Sequence, residues 1–304
     1  MEDMNATSTD YWNFLFTELA DERTNDWFLV KSPVPIFALI GAYLYFVLSW
    51  GPKFMKDRKP FKLERSMIIY NFIQVVLSCW MVYDGIIVWS TYNWRCQPVN
   101  RSRTPMAYRE ARGVYVYFLA KISELLDTVF FVLRKNERQV TFLHVYHHSV
   151  MPMISWAATK YFPGGHGTFV GCINSFVHIV MYSYYFLSAF GPHMQKYLWW
   201  KKHITNLQMI QFCLIFVHQT QLLYTECNYP RWSVCFTLPN AVFFFFLFKD
   251  FYQKSYKNKK EAAAALANQK AAAAAAAALT CQQQAAAMDA ANNNTIHTET
   301  KKVL

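Results

Sequence analysis

Charged side chains are scarce in this sequence and unevenly placed. Asp, Glu, Lys and Arg supply 16% of the 304 residues, whereas soluble proteins carry about a quarter. Long apolar stretches hold few of these charges, which collect in short blocks between them. This alternation excludes a single soluble core and predicts a chain that crosses a membrane several times.

Three further absences narrow the class of protein. The seven cysteines are too few and too scattered for a disulfide scaffold. Residues 1–32 contain no basic segment followed by an apolar run, so we expect no cleaved leader and an uncleaved first span as the anchor. The net charge of +11 comes without a zinc-finger spacing or a basic recognition helix, and we therefore expect no nucleic-acid partner.

Hydrophobic residues make up 54% of the chain and aromatic residues 18%. A transmembrane helix needs about 20 mostly apolar residues. We predict seven such helices, over residues 33–51, 66–90, 111–133, 139–162, 167–190, 203–224 and 232–252. The predicted fold class is therefore all-α, a polytopic membrane protein with a seven-span domain over residues 33–257.

Basic blocks fall on alternate connections between the predicted spans, at 53–59, 134–138, 196–202 and 254–260. Because Lys and Arg favour the cytosolic side, the pattern predicts a luminal segment over 1–32 and a cytosolic tail over 258–304. One connection, between spans two and three, disagrees because it carries Arg95, Arg101, Arg103 and Arg109. The four blocks decide the predicted topology.

The predicted tail is alanine-rich over residues 262–287, a composition that forms no packed core. Lys301 and Lys302 stand where a dilysine retrieval signal stands, at the fourth and third positions from the end. With a cytosolic tail, this pattern predicts a multi-pass protein of the endoplasmic reticulum membrane.

Residues on the predicted luminal side support two expectations. Asn5 begins an Asn-Ala-Thr acceptor sequence, so we expect N-glycosylation there. Cys96 and Cys227 lie in two luminal loops, where the compartment is oxidising, and we expect a disulfide bridge between them.

Ionisable residues occur inside several predicted spans, where they are costly and mark functional sites. Span three carries Lys121, Glu124 and Asp127, whose spacing places them on one helical face. A buried salt-bridge ladder that only stabilises the bundle is the alternative interpretation.

Span four carries three histidines, His144, His147 and His148, which share one face of a helix. Three imidazoles in one place suit either metal ligation or nucleophilic and acid–base chemistry. Polar stripes continue on the next two spans, with Asn174, His178, Tyr182 and Tyr185 on span five and Gln208 and Gln211 on span six. Together they predict a polar chamber beside an apolar cavity.

These blocks, taken in order along the chain, resemble the signature set of the fatty acid elongase family, also called very-long-chain 3-oxoacyl-CoA synthases. The matching segments are 121–127, 144–148, 174–185 and 205–211, and the resemblance runs from about residue 28 to about residue 257. It implies seven spans, six of which form a barrel around an acyl tunnel closed at the luminal end.

The resemblance also implies a reaction, the decarboxylative condensation of malonyl-CoA with a long-chain acyl-CoA. The products are a 3-oxoacyl-CoA longer by two carbons, CO2 and CoA, and the step opens the fatty acid elongation cycle. In the family mechanism an imidazole carries the acyl group. The matching residue here is His147, with His178 as its partner on the facing helix.

No bound cofactor and no metal are expected. The implied partners are the endoplasmic reticulum membrane and the ketoacyl-CoA reductase, 3-hydroxyacyl-CoA dehydratase and enoyl-CoA reductase of the same cycle, and a homodimer is compatible with the resemblance. Sphingolipid biosynthesis is an expected use of the product. Cations at the cytosolic mouth are expected to bind the phosphates of CoA, namely Arg134, Lys135, Lys201 and Lys202. The cytosolic bias of Lys and Arg explains each of them equally well.

Three other functions compete with this interpretation. A di-iron desaturase or hydroxylase needs about eight clustered histidines, whereas this chain has nine in all and one cluster. A seven-span receptor or transporter fits the span count but not the histidine cluster. A cysteine nucleophile is the third, but Cys172 is predicted to face away from His178, and Cys79, Cys213 and Cys235 are interpreted as small core residues.

Overall fold

The computed structural model describes residues 8–258, 261, 264 and 266–274. Asn5, Lys301 and Lys302 lie outside these described residues, so glycosylation and retrieval stay predictions. Within the described part the chain is helical and contains no strand. The α-helices are α1 (Ser8–Asn13), α2 (Val34–Tyr45), α3 (Gly51–Met55), α4 (Glu64–Trp89), α5 (Pro105–Ser123), α6 (Leu125–Leu133), α7 (Phe142–Tyr161), α8 (Thr168–Ser188), α9 (Lys201–Tyr224) and α10 (Val234–Tyr252).

Shorter helical segments extend or join these helices. Three are π-helical turns, at Phe14–Glu18, Phe46–Trp50 and Gln253–Lys257. Four are 3-10 turns, at Glu137–Gln139, Gly165–Gly167, Pro192–Tyr197 and Arg231–Ser233. The chain divides into two units, Met1–Lys249 and Asp250–Leu304, and the candidate site lies in the first. In the second unit, Lys254 forms an ion pair of 2.8 Å with Asp250.

Four helices among the described residues are long and apolar enough to cross a membrane: Val34–Met55, Glu64–Trp89, Gly165–Ser188 and Arg231–Lys257. They coincide with predicted spans one, two, five and seven, and the chain is an all-α membrane protein. The other three predicted spans are also helical, as α5 with α6, α7 and α9. Their polar stripes lower their apolar content, so a count of seven spans stays a prediction.

Span three was predicted as one helix over 111–133, but the structure has two helices that meet at Glu124. The turn tightens there, because the Asp127 amide donates to the Glu124 carbonyl three residues back at 3.1 Å. Such local 3-10 geometry often accompanies a functional residue inside a helix.

The largest buried cluster joins four helices around the middle of the bundle. Tyr43 of α2, Phe118 of α5, Leu125 of α6 and Trp156 of α7 belong to it. Elsewhere α4 packs along α8 and α5 along α7. These pairings place the polar faces of α5, α7 and α8 side by side.

Cys79, Cys213 and Cys235 are exposed, so their assignment to the core is wrong. They lie on the outer faces of α4, α9 and α10, and the outer surface of a membrane helix can remain apolar without being packed against protein.

One end of the bundle, here called the disulfide end, is formed by the loops 90–104, 162–167 and 225–233. Cys96 and Cys227 are bridged there with a Cα–Cα distance of 6.0 Å, and they are the pair that the sequence analysis proposes. The bridge packs against Leu222 and Tyr229. Burial raises the pKa of Tyr229, so its phenol stays protonated.

The N-terminal segment folds onto the disulfide end and offsets its arginines. Buried Asp21 pairs with Arg23 at 2.8 Å and lies 3.9 Å from Arg101. Glu22 pairs with Arg103 at 3.3 Å. The basic loop that disagrees with the topology rule therefore meets acidic partners on its own side of the bundle.

The opposite end, here called the basic end, brings two of the basic blocks together. Lys135 donates from Nζ to the Lys56 carbonyl at 2.8 Å, and the Phe61 amide donates to the Leu133 carbonyl at 3.0 Å. Helices α4 and α7 begin near the basic end and finish at the disulfide end. The bundle thus has one basic end and one end at which a disulfide joins two loops.

Candidate active site

A buried ion pair at the junction of α5 and α6 forms the centre of the site. Lys121 donates from Nζ to both carboxylate oxygens of Glu124, at 2.7 and 3.0 Å. Both residues are 2% exposed. Because charges are costly to bury, each needs further hydrogen bonds to be stable in this position.

Helix α8 supplies those further partners. Asn174 accepts from Lys121 Nζ through Oδ1 at 2.7 Å, and the same oxygen accepts from the Tyr117 hydroxyl at 3.0 Å. His178 lies with Nδ1 3.1 Å from Glu124 Oε1. This contact places the hydrogen on Nδ1, so a neutral His178 carries its lone pair on Nε2.

Helix α9 closes the network from the other side. The Asn174 amide donates to Gln211 Oε1 at 3.4 Å, and Gln211 is itself buried. Gln208, one turn earlier, donates to the Met181 sulfur at 3.6 Å. Three helices therefore hold the Lys121–Glu124–Asn174–His178 group in one arrangement.

Asp127 belongs to a second network. Tyr182 donates to Asp127 Oδ2 at 2.7 Å and is fully buried. The Tyr182 ring also lies against Tyr185, with the ring centres 6.0 Å apart. Asp127 lies six residues after Lys121, about 9 Å along a helix axis, so the two side chains belong to different networks.

The histidines of α7, His144, His147 and His148, lie on its first two turns and are here called the histidine box. The rings of His144 and His148 are 4.2 Å apart and those of His147 and His148 are 5.2 Å apart, measured between centres. His144 also shares a hydrogen bond of 2.9 Å with Thr128. His148 is buried, whereas His147 keeps part of its surface accessible. His147 is the imidazole of this trio that borders on Phe244, with 5.2 Å between ring centres.

The histidine box and the ion-pair network face each other. His147 lies within electrostatic range of Lys121, Glu124 and His178. The predicted grouping of span three, span four, span five and span six residues is therefore observed as one polar region. In the part of the chain that the structure describes, no three His, Cys, Asp or Glu residues are arranged to hold a metal ion.

Cationic residues lie at the basic end. Arg134 is partly buried with Nη1 3.0 Å from the Met67 sulfur, and Lys135 contacts the Lys56 carbonyl. Lys201 and Lys202 are exposed at the start of α9. The structure does not place these four side chains in contact with the histidine box.

The sequence analysis missed three polar residues of the site. Tyr117 precedes Lys121 by four residues, so the helical spacing that selected Lys121 could also have found it. Thr128 and Tyr43 connect α6 to α2 through a hydrogen bond of 2.8 Å. No sequence spacing predicts that contact, because the two residues are 85 positions apart.

An apolar cavity of about 130 Å³ extends from this region toward the disulfide end. Tyr117 and Ser175 line it near the polar networks, and Met151 lines it one turn beyond the histidine box. Phe162 and Tyr229 line it at the disulfide end. The polar region and the cavity are therefore continuous through Tyr117, which both borders the cavity and bonds to Asn174.

The sequence matches known proteins over most of its length. Residues 28–264 match the ELO: GNS1/SUR4 family. The chain is 50% identical over 250 residues to a very long chain fatty acid elongase of Aedes aegypti, covering 81% of this chain and 70% of that protein. It is 48% identical over 250 residues to very long chain fatty acid elongase 7 of Drosophila melanogaster, covering 81% and 76%. With very long chain fatty acid elongase 1 of Homo sapiens it shares 47% over 241 residues, covering 78% and 86%.

Proposed function

The chain belongs to the ELO: GNS1/SUR4 family and acts in fatty acid elongation, and we propose that it is the condensing enzyme, a very-long-chain 3-oxoacyl-CoA synthase. The observation that carries the proposal is the position of the partly buried His147, which interacts electrostatically with the buried ion pair and lies one helical turn before Met151 of the cavity wall. In this proposal the cavity takes up a part of the acyl chain, with the thioester placed beside the imidazole.

In the first step, a ring nitrogen of His147 attacks the thioester carbonyl of the acyl-CoA. The carbon–sulfur bond breaks, and CoA leaves as a thiolate that takes up a proton. Imidazole is an effective nucleophile near neutral pH and an acyl-imidazole is an activated acyl donor. His144 and His148 position the ring, and the apolar surroundings exclude the water that would hydrolyse the intermediate.

In the second step, malonyl-CoA loses CO2 and its enolate carbon attacks the acyl carbon. The carbon–nitrogen bond breaks, the departing ring nitrogen takes up a proton from solvent, and the neutral imidazole and the 3-oxoacyl-CoA result. Negative charge on the thioester oxygen needs a donor, and His178 supplies one when it carries a second proton. Glu124, 3.1 Å away, stabilises that imidazolium.

The cations of the basic end complete the proposal. Arg134, Lys135, Lys201 and Lys202 bind the CoA phosphates, which need charge-assisted hydrogen bonds. In the cell the chain resides in the endoplasmic reticulum membrane, with the basic end in the cytosol. A ketoacyl-CoA reductase, a 3-hydroxyacyl-CoA dehydratase and an enoyl-CoA reductase act on the product in turn.

Acyl transfer without malonyl-CoA tests the mechanism. The purified enzyme, mixed with a long-chain acyl-CoA alone, should release about one CoA per chain and gain the mass of one acyl group, as a covalent intermediate requires. His147→Ala should release none while keeping its thermal unfolding midpoint.

His193→Ala is the matched control, because His193 is exposed in the connection between α8 and α9. This variant should behave as the wild type. CoA release by folded His147→Ala would disprove the acyl-imidazole, and absence of condensation in the wild type would remove the proposed function itself.

A further inference from the structure

The cavity wall contains three buried polar atoms that have no hydrogen-bond partner among the described residues. They are Glu110 Oε2, Gln219 Nε2 and Ser233 Oγ. Their residues are 4%, 1% and 4% exposed, and all three line the cavity. Unpaired buried polar atoms are unfavourable, so each such atom in a native protein calls for a ligand or a water.

The three residues lie together at the disulfide end, around the turn 164–167. Glu110 Oε2 is next to Gly164, where a Cβ atom would stand only 2.9 Å from it. His166 bonds through Nε2 to the His218 carbonyl at 3.0 Å, which brings Gln219 to the same turn. Ser233 immediately precedes Val234, which packs with Tyr229 beside the bridge.

Three other hydroxyl groups of the wall are satisfied by the backbone. Ser175 Oγ donates to the Gly171 carbonyl at 2.7 Å, Ser155 Oγ to the Met151 carbonyl at 2.8 Å, and Thr237 Oγ1 to the Ser233 carbonyl at 3.1 Å. Unpaired wall atoms therefore concentrate where the cavity ends. Beside them, His218 Nδ1 is also unpaired within the described structure, although His218 is not a lining residue.

The three atoms form a complementary set. The Gln219 amide donates a hydrogen bond, and the Ser233 hydroxyl can donate or accept. The Glu110 carboxyl, which also interacts with Tyr92 and the Gly165 amide, can accept through Oε2. A hydroxyl group can both donate and accept, so it suits a wall that offers an acceptor and a donor. A methyl group satisfies none, and a carboxylate would be repelled by Glu110.

We propose that the closed end of the cavity is a subsite for a hydroxyl group at the far end of the acyl chain, so that the enzyme accepts ω-hydroxy long-chain acyl-CoA. This inference rests on the proposed condensing function, since it assigns the cavity to the acyl chain. The subsite acts on specificity, because it lies at the other end of the cavity from the histidine box.

Condensation kinetics on paired substrates test the proposal. For a series of chain lengths, kcat/KM is measured with malonyl-CoA and either the methyl-terminated or the ω-hydroxy acyl-CoA. Once the chain is long enough to reach the subsite, we expect the hydroxy form to be favoured roughly tenfold or more. For shorter chains the preference should vanish or reverse, because the hydroxyl would lie against the apolar wall.

Two variants and one control connect the preference to the subsite. Gln219→Leu and Ser233→Ala should each reduce the hydroxyl preference at the longer lengths while methyl-terminated chains are still elongated. Ser155→Ala removes a hydroxyl that the backbone already satisfies, so the preference should persist. A terminal carboxylate in place of the hydroxyl should be elongated more slowly than the methyl form.

The outcomes separate the two proposals. Equal efficiencies of hydroxy and methyl substrates at every length would show that water alone fills the end of the cavity, and would overturn the subsite while the condensing function stands. A preference that survives both subsite variants would also overturn it. Failure to elongate any substrate would remove the condensing function and the subsite together.

Discussion

At the scale of single residues, Lys121 shows how a charge is held inside the bundle. Its ammonium group donates to Glu124 and to Asn174, and its nitrogen lies 4.8 Å from the centre of the Tyr117 ring. A buried pair of this kind contributes little net stability over an apolar pair of the same shape, but losing one partner leaves an uncompensated charge. The cost of keeping the pair points to a role beyond packing.

Variants of Lys121 and Glu124 compare the stability lost when one charge is removed with the stability lost when both are removed. Lys121→Met should lower the free energy of unfolding by about 3–5 kcal/mol, because Glu124 stays buried with His178 as its remaining partner in the described network. Lys121→Met combined with Glu124→Gln should recover part of that loss, since no buried charge remains. Thermal unfolding in detergent gives both values.

The exposed pair of Arg103 and Glu22 is the control, with side chains 78% and 86% exposed. Arg103→Met should change stability by about 1 kcal/mol or less, because solvent screens such pairs. A double variant at Lys121 and Glu124 no more stable than Lys121→Met would contradict the buried-charge account.

Helical spacing in the sequence predicts part of this site. It places Lys121 beside Glu124, as the structure does, and it groups the three histidines of α7. It also places Asp127 in the same ladder, whereas Asp127 accepts from Tyr182 instead. The rule assumes an unbroken helix, and neither the break at Glu124 nor the contact from Tyr43 to Thr128 is encoded in local spacing.

At the scale of secondary-structure elements, the first two turns of α7 carry the histidine box. Thr141 caps this helix, because its hydroxyl accepts from the His144 amide at 3.3 Å. The cap satisfies one of the amides that have no partner within the helix. It thereby fixes the turn from which His144 reaches Thr128.

Removal of the cap should affect both stability and rate. We expect Thr141→Ala to cost about 1 kcal/mol of stability and to slow CoA release, because the frayed turn no longer holds His144 in place. Thr141→Ser should restore both. Thr104 is a matched cap on α5, with its hydroxyl 3.3 Å from the Ala107 amide. Thr104→Ala should lose similar stability and keep the rate. Equal rates of CoA release in Thr141→Ala and Thr104→Ala would show that the cap of α7 has no specific role in catalysis.

The sequence predicts the positions of the helices well. Among the described residues, however, hydropathy identifies only four of the seven predicted spans as membrane helices. Seven apolar stretches become helices, yet α5 with α6, α7 and α9 do not qualify as spans by composition. These helices carry the polar stripes that turn toward each other inside the bundle. A hydropathy criterion treats such residues as exposed to lipid, whereas in the structure Lys121 donates to Asn174 and Asn174 donates to Gln211.

At the scale of the whole molecule, charge differs between the two ends. At the disulfide end, Arg101 lies 3.9 Å from Asp21 and Arg103 pairs with Glu22, so two of its arginines have acidic partners. At the basic end, Lys56 and Lys135 lie together. The positive-inside rule counts Lys and Arg of short loops and gives little weight to Asp and Glu, so the arginines of the loop 90–104 remain an exception to the predicted topology.

Thiol labelling in sealed microsomes tests the orientation that follows. Lys56→Cys places a thiol at the basic end, and Arg103→Cys places one at the disulfide end, where an exposed ion pair is lost at small cost. A membrane-impermeant maleimide should label Lys56→Cys directly. It should label Arg103→Cys only after the membrane is permeabilised, because the proposed topology places the disulfide end in the oxidising lumen. The unsubstituted chain gives the background from its cysteines outside the bridge, including Cys281 in the predicted cytosolic tail. A luminal marker protein shows that the vesicles are sealed. Labelling of Arg103→Cys alone in sealed vesicles would invert the topology and place the CoA-binding cations in the lumen, away from the cytosolic pool of acyl-CoA.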